Sequence, residues 1–103
     1  MRIISGKYKG RLIKRPKDIR PTQDKVRKAL FDILGDIEGL VFLDLYAGSG
    51  AVGLEALSQG VSKAVFVENN RQCIKDINDN LATLGFPPKA DLSRRLTSLW
   101  LEP

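Results

Sequence analysis

The chain has 103 residues and has few of the features that would assign it to a class at once. It contains one cysteine, Cys73, which excludes an internal disulfide, so a reducing, cytoplasmic setting is the simplest interpretation. No apolar run approaches the roughly 20 residues that a membrane-spanning helix requires. The N-terminus carries Arg2 and Lys7 but lacks the apolar segment and cleavage site of a signal peptide. These absences favour one small intracellular domain.

Positive charge is concentrated at the N-terminus. Residues 1–30 contain 11 Lys or Arg and 2 Asp, a net charge of +9, whereas residues 31–103 contain 6 Lys or Arg and 10 Asp or Glu, a net charge of −4. A basic N-terminal arm on a mildly acidic body suggests that the arm contacts a polyanion, with nucleic acid as the leading candidate. The alternative is an ordinary solvated basic surface.

A small hairpin followed by a helix is predicted for the N-terminal third. Two short apolar-basic runs, 2–5 and 11–14, enclose a glycine-containing turn, as in a hairpin. Thr22 is a good helix N-cap, and Gly35 suits the position just beyond the helix end. The spacing of the apolar residues predicts an amphipathic helix with a basic side that carries Lys25 and Lys28. Its apolar face is formed by Val26, Ala29, Leu30, Ile33 and Leu34.

Apolar runs and helical patterns then alternate. Leu40–Leu45 is apolar up to Asp44 and predicts a strand buried on both faces, and residues 64–67 predict a second buried strand that ends at Glu68. The helical pattern Ala51–Gln59 separates them, so the two strands should lie parallel in one sheet.

A further helix is predicted after the second strand. Asn69 or Asn70 can cap it, and Gly85 ends it. Its apolar face has helical spacing and consists of Ile74, Ile77, Leu81 and Leu84. Beyond a loop at 86–90, the spacing of four apolar residues suggests a short amphipathic helix, and these residues are Leu92, Leu96, Leu99 and Trp100.

The segment between the first predicted strand and the following helix has the pattern of a cofactor-binding loop. Residues 48–53 read GSGAVG and fit G-x-G-x-x-G, in which glycines let the backbone approach a ligand closely. The match follows a predicted strand, opens a helix and is followed by Glu68 20 residues after Gly48. A carboxylate at the end of the second strand can accept hydrogen bonds from ribose hydroxyls.

Two details favour S-adenosylmethionine over a dinucleotide. Asp44 lies in the end of the first strand, where its charge suits a cofactor with an amino group and a sulfonium and would repel a pyrophosphate. Three residues also separate Asp44 from Gly48, whereas dinucleotide folds usually place the first glycine at the strand end. A dinucleotide, or a tight turn that binds nothing, remains as an alternative.

Three blocks of the sequence resemble the RsmD family, bacterial guanine-N2 methyltransferases of 16S ribosomal RNA. One is DLYAGSGAVGLEA at residues 44–56, and another is MRIISGKYKGR at residues 1–11. The third is IRPT at residues 19–22, which continues to VRKALF at residues 26–31. The blocks occur in the family's order and cover residues 1 to about 85.

The resemblance implies an α/β fold, the Rossmann-like fold of S-adenosylmethionine-dependent methyltransferases, of which this chain would carry the N-terminal half with a small N-terminal β-hairpin and helix. Asp44 would face the amino group of the cofactor, and Glu68 would hold its ribose hydroxyls. The loop around the methionine part would consist of Ala47, Gly48, Ser49 and Gly50.

The same resemblance implies that small-subunit ribosomal RNA lies along the basic arm. The arm residues expected to contact RNA are Arg2, Lys7, Lys9 and Arg11. Three further residues would border the cofactor and RNA entrance, and these are Arg20, Thr22 and Arg27. No catalytic residue and no metal ligand is assigned.

The sequence departs from the family in one respect. Families of this kind hold the reacting amine with an Asp-Pro-Pro-aromatic or Asn-Pro-Pro-aromatic motif after a later strand, and no such motif occurs here. Pro87-Pro88 follows a helix and lacks a preceding carboxylate or amide. We therefore expect a truncated, inactive enzyme, or alternatively a non-catalytic RNA-binding fragment or a methyltransferase of another nucleic acid.

Three regions are expected. Residues 1–22 form the arm and connector, residues 23–85 form half of the methyltransferase domain, and residues 86–103 form a divergent tail. Because the first strand would be central in a complete domain, its open edge is expected to promote self-association.

Overall fold

The computed structural model describes residues 1–14, 24–45, 48–85, 90–92 and 97–101. These residues form three helices, namely α1 (Asp24–Leu34), α2 (Ala51–Ser58) and α3 (Arg71–Thr83). They also form four strands, namely β1 (Val41–Leu45), β2 (Lys63–Glu68), β3 (Ala90–Leu92) and β4 (Thr97–Leu101). Thr22, the predicted N-cap of α1, lies outside the described residues.

The strands form one sheet in the order β1-β2-β4-β3. β1 and β2 are parallel and are connected through α2, as predicted, with Asp44 paired to Phe66. β4 runs antiparallel to β2 and pairs Ser98 with Val67, and β3 is antiparallel to β4. The predicted amphipathic helix in the tail is therefore wrong. An extended tail supplies partners for backbone groups on the second edge of β2, which a helix could not do.

The core lies between the sheet and helices α2 and α3. Along β2, Ala64, Phe66 and Glu68 are buried and alternate with half-buried residues, because successive side chains of a strand point to opposite faces. Leu54 of α2 and Ile77 of α3 are completely buried on the same side. The four predicted apolar positions of the third helix are all buried, which confirms its predicted face.

The other face of β1 is open among the described residues. Val41, Leu43 and Leu45 are 65%, 57% and 59% exposed. β1 is also the terminal strand of the described sheet, so its outer edge has no neighbouring strand there. The prediction of a strand buried on both faces is wrong for the described part of the chain, which covers one face only.

The packing of α1 also differs from its apolar pattern. Its buried residues are Arg27 and Phe31, whereas Val26 is exposed and Ile33 is 83% exposed. Phe31 stacks on Phe42 of β1, with ring centroids 6.0 Å apart. Among the described residues, the predicted apolar face is therefore mostly exposed, and of its members Leu30 alone is partly buried against the core. The stacked ring of Phe31 and a buried ion pair of Arg27 orient the helix instead.

Residues 1–14, which we call the arm, form a narrow antiparallel turn. Arg2 and Leu12 form a β-bridge, and the Ile3 amide donates to the Arg11 carbonyl at 3.0 Å. Ile3 and Ile13 are buried in the main core. The arm is consequently fixed to the domain, in keeping with the hairpin that the sequence predicts.

Candidate functional site

The two predicted carboxylates lie at the same end of the sheet. Asp44 is the penultimate residue of β1, and Glu68 is the last residue of β2. Because the two strands are parallel, their carboxyl ends meet at one edge, where ligands of open α/β sheets bind. The ion pairs formed among the described residues involve neither carboxylate.

Asp44 sits beneath the first turn of α2. One of its carboxylate oxygens, Oδ2, accepts a hydrogen bond from the Gly53 amide at 3.0 Å. Burial raises the pKa of Asp44 to about 6, the Gly53 hydrogen bond opposes this rise, and the charge of Glu68 adds to it. The negative charge of Glu68 thus adds to the cost of ionising Asp44, and a cationic ligand would relieve that cost.

Glu68 connects the two loops that follow β1 and β2. Its Oε1 accepts from the Gly48 amide at 2.9 Å. Its Oε2 accepts from the amides of Asn69, at 3.1 Å, and Asn70, at 2.9 Å. Asn70 also caps α3, since its side chain accepts from the Cys73 amide at 3.0 Å. The residue predicted to bind ribose therefore also holds the loop that would surround the cofactor.

The glycine loop is shaped by two different requirements. Gly50 has φ +83°, a left-handed conformation that other residues rarely adopt, and it is the residue from which α2 begins. Gly53 lies against β2, where an added Cβ would be 2.2 Å from Cε1 of Phe66. Ser49 is buried. Ala47, the remaining predicted loop residue, lies outside the described residues.

Asn80 is a site residue that the sequence interpretation missed. Its side-chain nitrogen donates to the Ser49 and Lys14 carbonyls, both at 3.1 Å, and its Oδ1 accepts from the Lys14 amide at 2.6 Å. The side chain is 1% exposed and joins the arm, the glycine loop and α3. The sequence places Asn80 beside the apolar face of the predicted helix. That position could have indicated its role, since buried polar groups need hydrogen-bond partners.

The arm residues predicted to contact RNA occupy different environments. The Arg2 guanidinium donates to the Gly10 carbonyl at 2.8 Å, and that of Arg11 donates to the Thr83 carbonyl at 2.7 Å. Lys7 and Lys9 are exposed, and the Lys7 Nζ lies 5.6 Å from the centre of the Tyr8 ring. Arg20 and Thr22, which complete this group with Arg27, lie outside the described residues.

Arg27 has no exposed surface. Its Nη2 donates to the Arg2 carbonyl at 2.9 Å and pairs with Asp24, and its Nη1 lies 3.6 Å from Glu55 Oε1. Glu55 is itself 1% exposed and accepts hydrogen bonds from the Ile4 and Ser5 amides. In this conformation Arg27 joins α1, α2 and the arm, and a ligand cannot reach it.

In the part of the chain that is described, no group of His, Cys, Asp and Glu is placed to hold a metal ion. No helix of that part is long and apolar enough to cross a membrane.

Comparison with known proteins identifies the family of the chain. A sequence model of the family described as conserved hypothetical protein 95, which is the RsmD family, matches residues 1–101. The chain belongs to the RsmD family. Its fold class is confirmed as well, since the two similar solved structures described below match 82% of the chain and the described residues form the corresponding small α/β domain.

The curated relatives of the chain include proteins named as methyltransferases of ribosomal RNA. Ribosomal RNA small subunit methyltransferase D of Escherichia coli is 44% identical over an alignment of 87 residues, and the match covers 82% of this chain and 44% of that protein. YlbH of Bacillus subtilis, provisionally described as an rRNA methyltransferase, is 41% identical over an alignment of 97 residues, and the match covers 91% of this chain and 53% of YlbH. The chain spans about half the length of these relatives.

Solved structures cover the same half. A hypothetical protein of Thermus thermophilus has a TM-score of 0.74 and 42% identity, and the match covers 82% of this chain and 50% of that one. The Escherichia coli protein yhhF, provisionally described as a methyltransferase, has a TM-score of 0.71 and 44% identity. That match covers 82% of this chain and 46% of yhhF.

Proposed function

We propose that this chain forms the cofactor- and RNA-binding half of an S-adenosylmethionine-dependent methyltransferase that acts on guanine N2 of small-subunit ribosomal RNA. The observation that carries the proposal is the pair of carboxylates, Asp44 and Glu68, that meet beside the glycine loop without a basic partner among the described residues. The names of the relatives support the reaction and the RNA class.

The residues of the site fit the chemistry of this cofactor. Asp44, whose pKa is raised to about 6 by burial and by Glu68, would be stabilised in its ionised form by a nearby ammonium or sulfonium. A pyrophosphate would instead add negative charge beside it. Gly48, Ser49 and Gly50 would surround the methionine part, and Glu68 would accept hydrogen bonds from ribose hydroxyls. When bound, the cofactor supplies an electrophilic methyl group.

The RNA would lie along the arm. Lys7 and Lys9 are exposed there, and the exposed Arg2 and Arg11 side chains keep their positive charge while they donate to backbone carbonyls. Phosphate contacts supply most of the affinity of such surfaces and make it sensitive to salt. Arg20 and Thr22 would extend this surface toward the cofactor, whereas buried Arg27 would support it from below.

The sequence contains no Asp-Pro-Pro-aromatic or Asn-Pro-Pro-aromatic motif, so we propose that the chain by itself binds cofactor and RNA but does not transfer the methyl group. The proposed setting is the cytoplasm, where ribosomal RNA is methylated. Methyl transfer from labelled cofactor to undermodified ribosomal RNA by this chain alone would contradict the proposed inactivity.

Calorimetric titration with S-adenosylmethionine, and separately with NAD, tests the cofactor proposal. We expect the chain to bind S-adenosylmethionine and not NAD. Asp44→Asn should weaken binding by roughly tenfold or more, because a charge-assisted contact is lost. Asp32→Asn is the matched control, since Asp32 is an exposed carboxylate on α1. Binding of RNA without any binding of S-adenosylmethionine would favour a non-catalytic RNA-binding fragment instead.

We also propose that the open edge and face of β1 permit self-association of the chain. Three apolar side chains are exposed side by side with unpaired backbone groups of a strand that is terminal in the described sheet, and such edges pair readily with another strand.

A further inference from the structure

A cleft of about 760 Å³ lies between the arm and α1, away from the two carboxylates of the cofactor site. It is bounded by three elements: the arm, α1 and the second half of α2. The lining residues on which the argument depends are Ser5, Lys9, Arg27, Lys28, Asp32 and Glu55. Its volume is within the range of about 300–1,000 Å³ that is usual for small-molecule sites.

The floor of the cleft contains a buried ion pair, in which Nε and Nη1 of Arg27 have no hydrogen-bond partner among the described residues. Arg27 and Glu55 are both buried, and their closest charged atoms are 3.6 Å apart. Glu55 also accepts from the Ile4 amide at 2.6 Å and from the Ser5 amide at 3.2 Å. These contacts hold the arm against α2. A ligand would therefore meet the groups on the rim, and the buried pair would keep the two walls of the cleft in place.

Two ammonium groups from different elements stand on that rim. Lys9 belongs to the arm and is exposed, and Lys28 belongs to α1. Lys28 pairs with Asp32 at 2.9 Å, but both side chains are 66% exposed. Exposed pairs of this kind are weak and compete with solvent, so a phosphate can displace Asp32 with little loss.

We propose that this cleft is a phosphate-binding subsite that holds one nucleotide of the RNA, with Lys9 and Lys28 contacting its backbone from opposite walls. The inference rests on the RNA-binding function proposed above and assigns Lys28, which the sequence interpretation did not include. A polyanion is the favoured class of ligand because the arm that forms one wall is the most basic part of the chain.

The position of the cleft defines which part of the RNA it would hold. The glycine loop precedes α2, whereas Glu55 and Gln59 border the cleft from the far half of that helix. At 1.5 Å per residue, Gly50 and Gln59 are roughly 13 Å apart along the helix axis. The subsite would accordingly bind a nucleotide at some distance from the methylated base. It would orient the RNA without contacting the cofactor.

Fluorescence anisotropy with a labelled fragment of small-subunit ribosomal RNA, repeated over a series of salt concentrations, tests the subsite in the full chain. We expect the double variant Lys9→Gln/Lys28→Gln to lose roughly tenfold or more in affinity, and the slope of log K against log salt to fall by about 2. Asp32→Asn should increase affinity, because it frees Lys28. Lys25→Gln/Lys75→Gln is the matched control, with the same change in charge on exposed helix positions outside the cleft.

Equal losses in the two double variants would overturn the subsite and leave a diffuse electrostatic surface, without affecting the RNA-binding function. If the unaltered chain does not bind RNA, both the subsite and the RNA-binding part of the proposed function are wrong. Calorimetry with S-adenosylmethionine would then still test the cofactor-binding part. Thermal melts of every variant show whether a loss of affinity reflects a loss of folding.

Discussion

Glu68 at the end of β2 accepts a hydrogen bond from the amide of Gly48 in the loop after β1, with 2.9 Å between Oε1 and N. The same carboxylate accepts hydrogen bonds from the amides of Asn69 and Asn70, in the loop that follows β2. One side chain thereby fixes the two backbone segments between which the proposed cofactor would lie. The contact joins residues 20 positions apart, and it makes the shape of the loop depend on the carboxylate.

Glu68→Gln should destabilise the chain as well as weaken cofactor binding. The amide group of glutamine places a donor where the carboxylate accepts from three backbone amides, so at least one of them loses its partner. We expect a loss of about 1–3 kcal/mol in the free energy of unfolding, measured in urea. Glu38→Gln serves as the control, because Glu38 is exposed. An unchanged urea midpoint would show that the Gly48 contact does not order the loop.

Asp44→Asn should stabilise the chain near neutral pH. The folded-state pKa of Asp44, about 6, is above the ordinary value of 3.8, so the folded chain holds this proton more tightly than the unfolded chain does. The contribution of protonated Asp44 to the free energy of unfolding is therefore complete below about pH 4. It decreases as the pH rises to about 6 and is absent above that. Asparagine can still accept from Gly53 and carries no charge.

Thermal melts of Asp44→Asn and the unaltered chain at about pH 4 and about pH 7.5 check this linkage. We expect a higher melting temperature for the variant at the higher pH and little difference at the lower one. The variant should at the same time bind S-adenosylmethionine more weakly, so stability and binding would change in opposite directions. A variant that is less stable at the higher pH would refute the raised pKa.

The strand, loop and helix around the glycine loop were predicted well from the sequence, because the signals there are local. A strand with Asp44 next to its last residue, glycines with left-handed or close-packed backbone, and a cap at Asn70 each follow from a few adjacent residues. The confirmed parts of the fold are the parallel pairing of β1 with β2 and the buried face of α3.

Long-range contacts could not be predicted in this way. The orientation of α1 depends on the ion pair between Arg27 and Glu55, which lie 28 positions apart. It also depends on the stacking of the Phe31 ring on that of Phe42. The pattern of apolar residues alone pointed to a different face. The antiparallel pairing of the tail was missed for the same reason, since it depends on the free edge of β2 rather than on the periodicity of the tail.

Asn80→Ala should be strongly destabilising for a polar substitution. It removes three hydrogen bonds and leaves the Lys14 amide and the Ser49 carbonyl without that partner. We expect a loss of about 2–4 kcal/mol in urea unfolding, since buried groups left unsatisfied cost about 1–3 kcal/mol each. Asn78→Ala on the same helix is the matched control, because the buried Oδ1 of Asn78 has no hydrogen-bond partner among the described residues. Equal losses at the two positions would exclude a linking role for Asn80.

Gly53→Ala should cost about 1–3 kcal/mol through overpacking. The new methyl group would be 2.2 Å from the ring of Phe66, which is completely buried and cannot move away freely. A second substitution, Phe66→Leu, opens space at that point, so the double variant should lose less than the sum of the two single losses. Strictly additive losses in urea unfolding would show that the close approach of α2 to β2 is not the cause.

Leu43→Lys should suppress self-association of the chain. Leu43 is the middle residue of the exposed apolar row of β1, and a lysine there puts a charge on the face and edge that a second copy would cover. Leu12→Lys is the matched control, because Leu12 is exposed to a similar extent, 58%, but lies on the arm. Sedimentation velocity over a range of concentrations should show association of the unaltered chain and of Leu12→Lys, and a monomer for Leu43→Lys. If all three proteins sediment as monomers at every concentration, the open side of β1 does not drive pairing.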